Sequence, residues 1–597
     1  MIADAPTDTL LADTLLDQGL TLHRAGRLEE AGRCYRALLA AAPGHADGSH
    51  LLGLVEHAAG RHAAALTHLR AAVRLRPEVA NFHASLGTAS LAAGDLAAAE
   101  AGFRAALGRE PGNADAWANL GLALLRDARP AEAEAALRAA VRLAPSAADA
   151  RGNLGACLHR LGRLDEAAAA LRAALRLDPG HEPALACLGL VLEALGEVED
   201  AEACHRAALA LRPDSAANAT NLGNVLRVLG RFDEAEALLR RAVRLRPDAA
   251  DSWANLGAVL AAQGRLAAAE AEACCQRALR LDPGHAEAHT TLGTVQLLAG
   301  RMPEGFAGLE WRWRRQGFAP PRAMGVPRWD GAPRGGRTLL LHAEQGLGDS
   351  IQMLRFVPML AKAGPVVLEV PATLRGLADG LDPRVRVVTA GAALPPVDLH
   401  CPLPSLPHAL GLTLADIPED VPYLRPDPAA VAGWAARVAG LPGRRVGLVW
   451  AGNPAYAADR RRSIPPALLA PLGAVGGVSF VSLQRGAEGL PDLALHDWTD
   501  ELATLGDTAA LVSCLDLVIA VDTAVAHLAG ALGRPVWLLN RFDSDWRWLR
   551  EGARCPWYPT LLQFRQPEPG DWAAAVADVA SRLARCVAGE VAAEIAD

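Results

Sequence analysis

The chain has 597 residues, 51% hydrophobic, 21% charged and 4% aromatic, and a net charge of −8 from 67 acids against 59 bases. That balance belongs to globular domains and not to disordered or collagen-like chains, and the charge argues against a protein that coats nucleic acid. No uninterrupted apolar run approaches the roughly 20 residues of a membrane span.

At the N-terminus, Asp4, Asp8, Asp13 and Asp17 stand where a secretory signal would need a basic region, so no signal peptide is expected. Residues 1–9 are expected to be disordered. The ten cysteines are scattered, with no C-x-x-C pair and no Cys/His zinc spacing. A reducing cytoplasm is the expected compartment, and no metal is expected. Lys362 is the single lysine, and all other basic residues are arginine. An isolated arginine therefore carries little functional information in this composition.

From about residue 10 the chain repeats itself. Proline recurs at positions 43, 77, 111, 145, 179, 213 and 247, each 34 residues after the last, and Pro283 follows after 36. A Leu-Gly pair keeps the same clock, with its glycines at 53, 87, 121, 155, 189, 223 and 257 and then 293. The shared slip places an insertion in the helix around Glu270–Gln276. Each unit reads as two amphipathic helices, a small residue allowing close approach in the first and a proline ending the second. One such hairpin cannot bury its own apolar face, but stacked neighbours can. The period and pattern resemble tetratricopeptide repeats, about nine of them over 10–317. Inside them Asn119, Asn153, Asn221 and Asn255 all precede the Leu-Gly, and Cys187 breaks the series. In tetratricopeptide proteins that register faces the concave groove, and the row resembles the Asn ladder of eukaryotic O-GlcNAc transferases. An amide offers both a donor and an acceptor and can hold the backbone of an extended peptide. The alternative is a solvated asparagine that is simply common at this position.

Residues 318–336, rich in Pro and Gly, read as a linker. Beyond it, short apolar runs alternate with helical stretches. Strands are expected at Leu339–His342, Val366–Val370, Val385–Thr389 and Val397–Cys401. After a Pro-rich connection a second set is expected at Arg445–Trp450, Val478–Leu483, Leu515–Asp522 and Pro535–Leu539. Alternating strands and helices imply two parallel sheets in Rossmann-like lobes, 337–430 and 431–597, the second ending in a helix. Ligands in such folds sit at the carboxyl ends of the strands.

Two segments carry chemistry there. After the first strand, Gly346 and Gly348 permit a tight turn and Asp349 opens a helix; by itself Asp349 also reads as an N-cap. In the second lobe a buried strand runs into Asp522-Thr523 and a helix bearing His527. Its first amides would suit a diphosphate, while the plain reading is a cap and a helix-face histidine.

Taken together, "HAEQGLGDSIQ", "GLVWAGNP", "DRRRSIP", "SLQ", "VDTAVAHLAGALGRPVWLLN", "DWRW" and "WYPTLLQFRQ" resemble glycosyltransferase family 9, the heptosyltransferase-like domains, over about 337–588. The resemblance implies a GT-B fold, a nucleotide-sugar donor on the C-terminal lobe, an acceptor on the N-terminal lobe, and inverting transfer without a metal or other cofactor. It makes Asp349 the general base and Asp522, Thr523 and His527 the donor motif. Asn453, Arg461 and Ser463 fall at phosphate-side positions and Gln484 near the nucleotide. Family members carry a lysine where this chain has arginines at 460–462. Trp546 and Trp548 are expected either to stack on the base or sugar or to pack against the C-terminal helix. The expected function is glycosyl transfer to a protein held in the repeat groove. The alternatives are transfer to a lipid-linked or surface glycan, and a repeat scaffold with an inactive domain.

Overall fold

The computed structural model describes residues 5–263, 268–315, 318–344, 346–454, 459–486 and 489–591, with side chains from Leu11 onward. They form two compact units, the first ending at Asn221 and the second beginning at Leu222.

The first unit is helical. Six hairpins run from Ala5–Arg24 with Leu28–Ala41 to Glu182–Leu195 with Val198–Leu211. The first helix starts at Ala5, inside the segment expected to be disordered, and residues 1–4 lie outside the described residues. The Leu-Gly glycine does what the pattern demands. A Cβ on Gly121 would lie 2.5 Å from Leu137 Cγ, and Gly53 and Gly87 face Leu69 and Phe103 in the same way. The next helix thus plugs a large side chain into a notch that only glycine leaves open.

The array solves its polar loose ends in two recurring ways, seen in both units. The proline that ends a hairpin keeps a free carbonyl, and a donor six residues on fills it. His83, Trp117, Arg151, Trp253 and His289 each donate to such a carbonyl at 2.8–3.0 Å. The arginine after the left-handed turn residue, Gly162 or Ala128, grips two glutamates, one in its own helix and one in the hairpin before. Arg163 reaches Glu166 at 2.6 Å and Glu134 at 2.7 Å, and Arg129 reaches Glu132 at 2.7 Å and Glu100 at 2.6 Å.

The second unit opens within the helix Ala216–Val228 and continues with Phe232–Leu245, Ala250–Gln263, Ala268–Leu281, Ala286–Leu298 and Met302–Leu309. With these, nine helical hairpins are found among the described residues. The helix expected to hold an insertion spans 14 residues, like its counterparts. Residues 264–267, before it, lie outside the described residues. Cys275 fills the notch of Gly257, where most other hairpins use leucine or an aromatic ring.

Two parallel sheets follow. The four-stranded one is built from β1 (Leu339–His342), β2 (Val366–Val370), β3 (Val385–Thr389) and β4 (Leu399–Pro402), in the order β3-β2-β1-β4. The six-stranded one comprises β5 (Arg444–Val449), β6 (Val478–Ser482), β7 (Leu495–His496), β8 (Leu517–Val521), β9 (Val536–Asn540) and β10 (Leu561–Arg565), in the order β10-β9-β8-β5-β6-β7. The central strands are buried along their whole length, as parallel strands covered on both faces must be. The expected strands are present within about two residues at either end. β7 and β10 were not expected, because neither a two-residue edge nor "LLQFR" shows a clear apolar run.

Three helices matter for the site: α1 (Leu347–Met353) after β1, α2 (Ala524–Ala531) after β8, and the C-terminal α3 (Trp572–Val587). α3 packs Val576, Val579 and Leu583 on one face of the six-stranded sheet. The other face shares a continuous core with the four-stranded sheet, and that core also includes Leu297, Leu298, Met302 and Phe306 of the last hairpin.

Residues 318–336 are not a loose tether. Trp329 is buried, its backbone N–H donates to His400 O at 2.8 Å, and Arg328 forms a bridge beside β4. Arg334 is buried and donates to the carbonyls of Pro365 (2.7 Å) and Leu360. The prolines and glycines turn a segment that lies along the sheet.

Candidate active site

The carboxyl ends of β1 and β8 both run directly into a helix start, and the two starts meet. Gly348, in the first turn of α1, is the contact point: a Cβ there would stand 2.9 Å from His527 Cδ2 and 3.6 Å from Ala524 Cα. A side chain at 348 would push the two sheets apart.

Asp349, next in line, points at the side chain of Arg547, which donates to its carboxylate. The same guanidinium donates to Gln352 Oε1 at 3.0 Å and to Asp545 at 2.7 Å. Arg547 therefore clamps α1, which follows the four-stranded sheet, to the loop after β9. Its surroundings hold the guanidinium firmly charged: burial opposes this, but the carboxylates of Asp349, Asp545 and Asp522 outweigh it. Asp545 and Asp522 share that field unequally. Burial and then the charge of Asp545 push the Asp522 carboxyl up. Burial pushes Asp545 up as well, yet the charge and hydrogen bonds of Arg547 hold it below the usual carboxylate range.

A second buried arginine makes a parallel tie. Arg355 donates to the carbonyls of Gln352 (3.0 Å) and Trp557 (2.5 Å) and lies over the rings of Tyr423, Trp557 and Tyr558. Tyr423 in turn donates to Ile351 O at 3.0 Å.

The donor-motif residues Asp522, Thr523 and His527 are brought to this junction. Thr523 caps α2 in an extended conformation, its hydroxyl bonded to Val521 O at 3.2 Å. The carbonyl of Asp522 accepts from Arg462 at 3.1 Å. His527 does not face an open crevice. It is buried, stacked on Trp548 at 5.0 Å and bonded through Nδ1 to the Tyr558 hydroxyl at 2.9 Å. Burial, and then the charge of Arg547, pull its pKa down to about 3, so the ring is neutral at ordinary pH. It acts as a wedge between the two helix starts.

Among the other expected residues, Asn453 is exposed at the end of the loop after β5. Ser463 accepts from Gly452 N at 3.0 Å and donates to Asp459 at 2.8 Å, which fixes that loop. Arg461 turns away from α2: it pairs with Asp543 and its guanidinium stands 5.9 Å from the Phe232 ring of the repeats. Gln484 spends its carbonyl oxygen on the backbone N–H groups of Trp450 (3.1 Å) and Ala451 (2.8 Å), and its amide nitrogen donates to Arg485 O at 3.3 Å. It shapes the loop after β5. Trp548 is fully buried, and Trp546 packs edge-on against Phe306 of the last hairpin, 5.3 Å between centroids. Neither packs as part of the C-terminal helix. Gly346 is the residue before α1 and accepts from Ser350 N at 3.2 Å.

Asn119, Asn153, Asn221 and Asn255 are half-buried, each the sixth residue of its helix. Of these, Asn255 reaches the site. A cavity of about 450 Å³ is lined by Asn255, Thr290, Thr291 and Thr294 of the last hairpins and by Asp349 and Arg547. The motif carrying Asp349 and the ladder carrying Asn255 thus share one wall-to-wall space. Arg547 and Arg355 were missed in the sequence because arginine is so abundant; only the place of Arg547 inside "DWRW" hinted at more.

Tetratricopeptide-repeat models match residues 16–80, 85–148, 123–182 and 220–284, and a second such model matches 182–248. The glycosyltransferase family 9 (heptosyltransferase) model matches 502–539, the stretch that holds Asp522, Thr523 and His527. Protein FlbA of Caulobacter vibrioides is 32% identical over 317 residues, covering 47% of this chain and 52% of its own length. The chain therefore spans about half the length of that curated relative. Similar solved structures include the APC/C hetero-tetramer Cut9–Hcn1, 21% identical with a TM-score of 0.39 over 47% of this chain and 55% of that one. Another is PilF of Pseudomonas aeruginosa, 22% identical with a TM-score of 0.32 over 35% of this chain and 94% of that one. The chain is a tetratricopeptide-repeat protein that carries a glycosyltransferase family 9 segment in its C-terminal α/β part.

Proposed function

We propose that this protein is an inverting, metal-independent glycosyltransferase of GT-B architecture, taking a sugar from a nucleotide-sugar and placing it on a protein held by the repeats. The observation that carries the reading is the single cavity that joins Asn255 and the threonines of the last hairpins to Asp349 at the junction of the two sheets. A peptide held at Asn255 and the threonines would end at that carboxylate. Holding it there raises the effective concentration of the acceptor group at the site.

In the reaction an acceptor hydroxyl attacks the anomeric carbon from the face opposite the diphosphate. The new carbon–oxygen bond forms as the bond to the diphosphate breaks, and that electron pair leaves with the diphosphate. The hydroxyl proton goes to the Asp349 carboxylate. The first backbone amides of α2 supply fixed dipoles toward the leaving group, while the Thr523 hydroxyl braces the turn on Val521 O. His527 is neutral and holds the Gly348 turn against α2; it adds no charge.

The test is transfer by the full-length chain from UDP-, GDP-, ADP- and CMP-sugars to cellular proteins, read by mass spectrometry. Asp349→Asn is expected to lower transfer about 10²- to 10⁴-fold with the fold retained. Undiminished transfer in that variant would remove Asp349 as the base. Sugar found only on glycans, with no protein gaining mass, would replace the protein acceptor with a carbohydrate one.

A further inference from the structure

We propose that Arg547 is the residue that receives the donor's diphosphate, and that it does so by leaving Asp349, so that the base is freed only when a donor is bound. This rests on the transferase reading above.

The family position for a phosphate-side cation falls on arginines 460–462, and the structure engages two of these elsewhere. Arg461 is paired with Asp543 beside the Phe232 ring, and Arg462 is bonded to Asp459 at 2.7 Å and to the Asp522 carbonyl. Arg547 is different. It sits where α1, the loop after β9 and the Asp522 turn converge, and it lines the cavity together with Asp349. Its guanidinium has five donors in a flat fork. At present it serves Asp349, Gln352 and Asp545, so one arginine answers several carboxylate demands.

A carboxylate that keeps a charged hydrogen bond to arginine is a poor proton acceptor, because the ion pair favours its ionised form. A diphosphate offers the same fork geometry with more negative charge, and a guanidinium matches phosphate as well as it matches carboxylate. The exchange needs little movement: Asp545 and Gln352 keep their hold while the donor aimed at Asp349 turns to a phosphate oxygen. Asp349 is then left beside the acceptor without its partner. The group-transfer step is unchanged from that given above, with Arg547 taking up the charge that develops on the departing diphosphate.

The experiment is calorimetric titration of the full-length chain with inorganic pyrophosphate and with UDP, GDP, ADP and CDP. The wild type is expected to bind at least one nucleoside diphosphate. Arg547→Gln should weaken that binding by about tenfold or more, the loss of a charged hydrogen bond, and Arg547→Lys should recover part of it. Asp349→Asn should do the opposite and tighten diphosphate binding about threefold or more, since the guanidinium no longer has to be won from a carboxylate. A merely structural arginine would give no such tightening. The Asp349→Asn arm also stands alone if Arg547→Gln fails to fold. Unchanged affinity in folded Arg547→Gln, or unchanged or weaker affinity in Asp349→Asn, would overturn this inference while leaving the transferase reading intact. A wild type that binds none of the diphosphates would overturn both.

Discussion

The repeats and the sheet junction use the same side chain in opposite settings. In the repeats, the arginine after the left-handed turn residue is half in water and shared between two glutamates, as at Arg129 and Arg163. At the junction, Arg547 is largely enclosed, paired with Asp349 and Asp545 and within the field of Asp522. The first setting is redundant and screened by solvent. The second is neither, since an enclosed charge deprived of its partner has nothing to replace it. Counting ion pairs would rank the repeats higher, whereas burial ranks the junction higher.

The sharpest test of that contrast is one substitution made in both places. Gly348→Ala puts a methyl group 2.9 Å from His527, and Gly121→Ala puts one 2.5 Å from Leu137. Both are expected to cost about 1–3 kcal/mol of stability through overpacking. Only Gly348→Ala should also lower the rate of transfer, by about 10²-fold, because it separates groups that must stay aligned. Equal rates in the two variants would break the comparison.

Acid should find the junction next. The unfolded His527 takes up a proton near pH 6.5, whereas in the folded chain it does so only near 3. Between those values the unfolded state binds a proton that the folded state refuses. Stability therefore falls by about 1.4 kcal/mol for each unit of pH lowered through that window, and this contribution is fully present above it. His527→Asn should flatten this part of the urea-unfolding profile against pH; an unchanged slope would show the ring to be solvated.

The smallest effect is expected in the ladder. Arg163→Ala removes contacts to Glu134 and Glu166 and should leave the melting temperature within error of the parent chain. A clear drop would mean that the surface pairs act as a network.

How much of this was legible follows from the same physics. The hairpins were readable because each repeats one packing problem, glycine against Leu or Phe, on a fixed period. The central strands were readable as buried apolar runs, while β7 and β10 lay at edges where that signal fades. Asp349, Asp522 and Thr523 announced themselves by standing where a strand ends and a helix begins. His527 does lie one turn into α2, but its burial was not foreseeable, because a histidine there looks alike whether it faces a ligand or a tryptophan. Gln484 and Arg461 depended on the direction of a side chain, which one sequence does not encode. Arg547 and Arg355 act through partners almost 200 residues away in the chain, and no local pattern marks them.

The last hairpin has an engineering consequence. Leu297, Leu298, Met302 and Phe306 belong to the same interior as Leu339 and Ile351, and Trp329 is seated beside β4. Trimming the chain back to Arg337 would therefore strip greasy side chains from a shared interior and leave an insoluble remnant. Any exchange of the earlier hairpins should keep the whole helix Ala216–Val228 and everything after it.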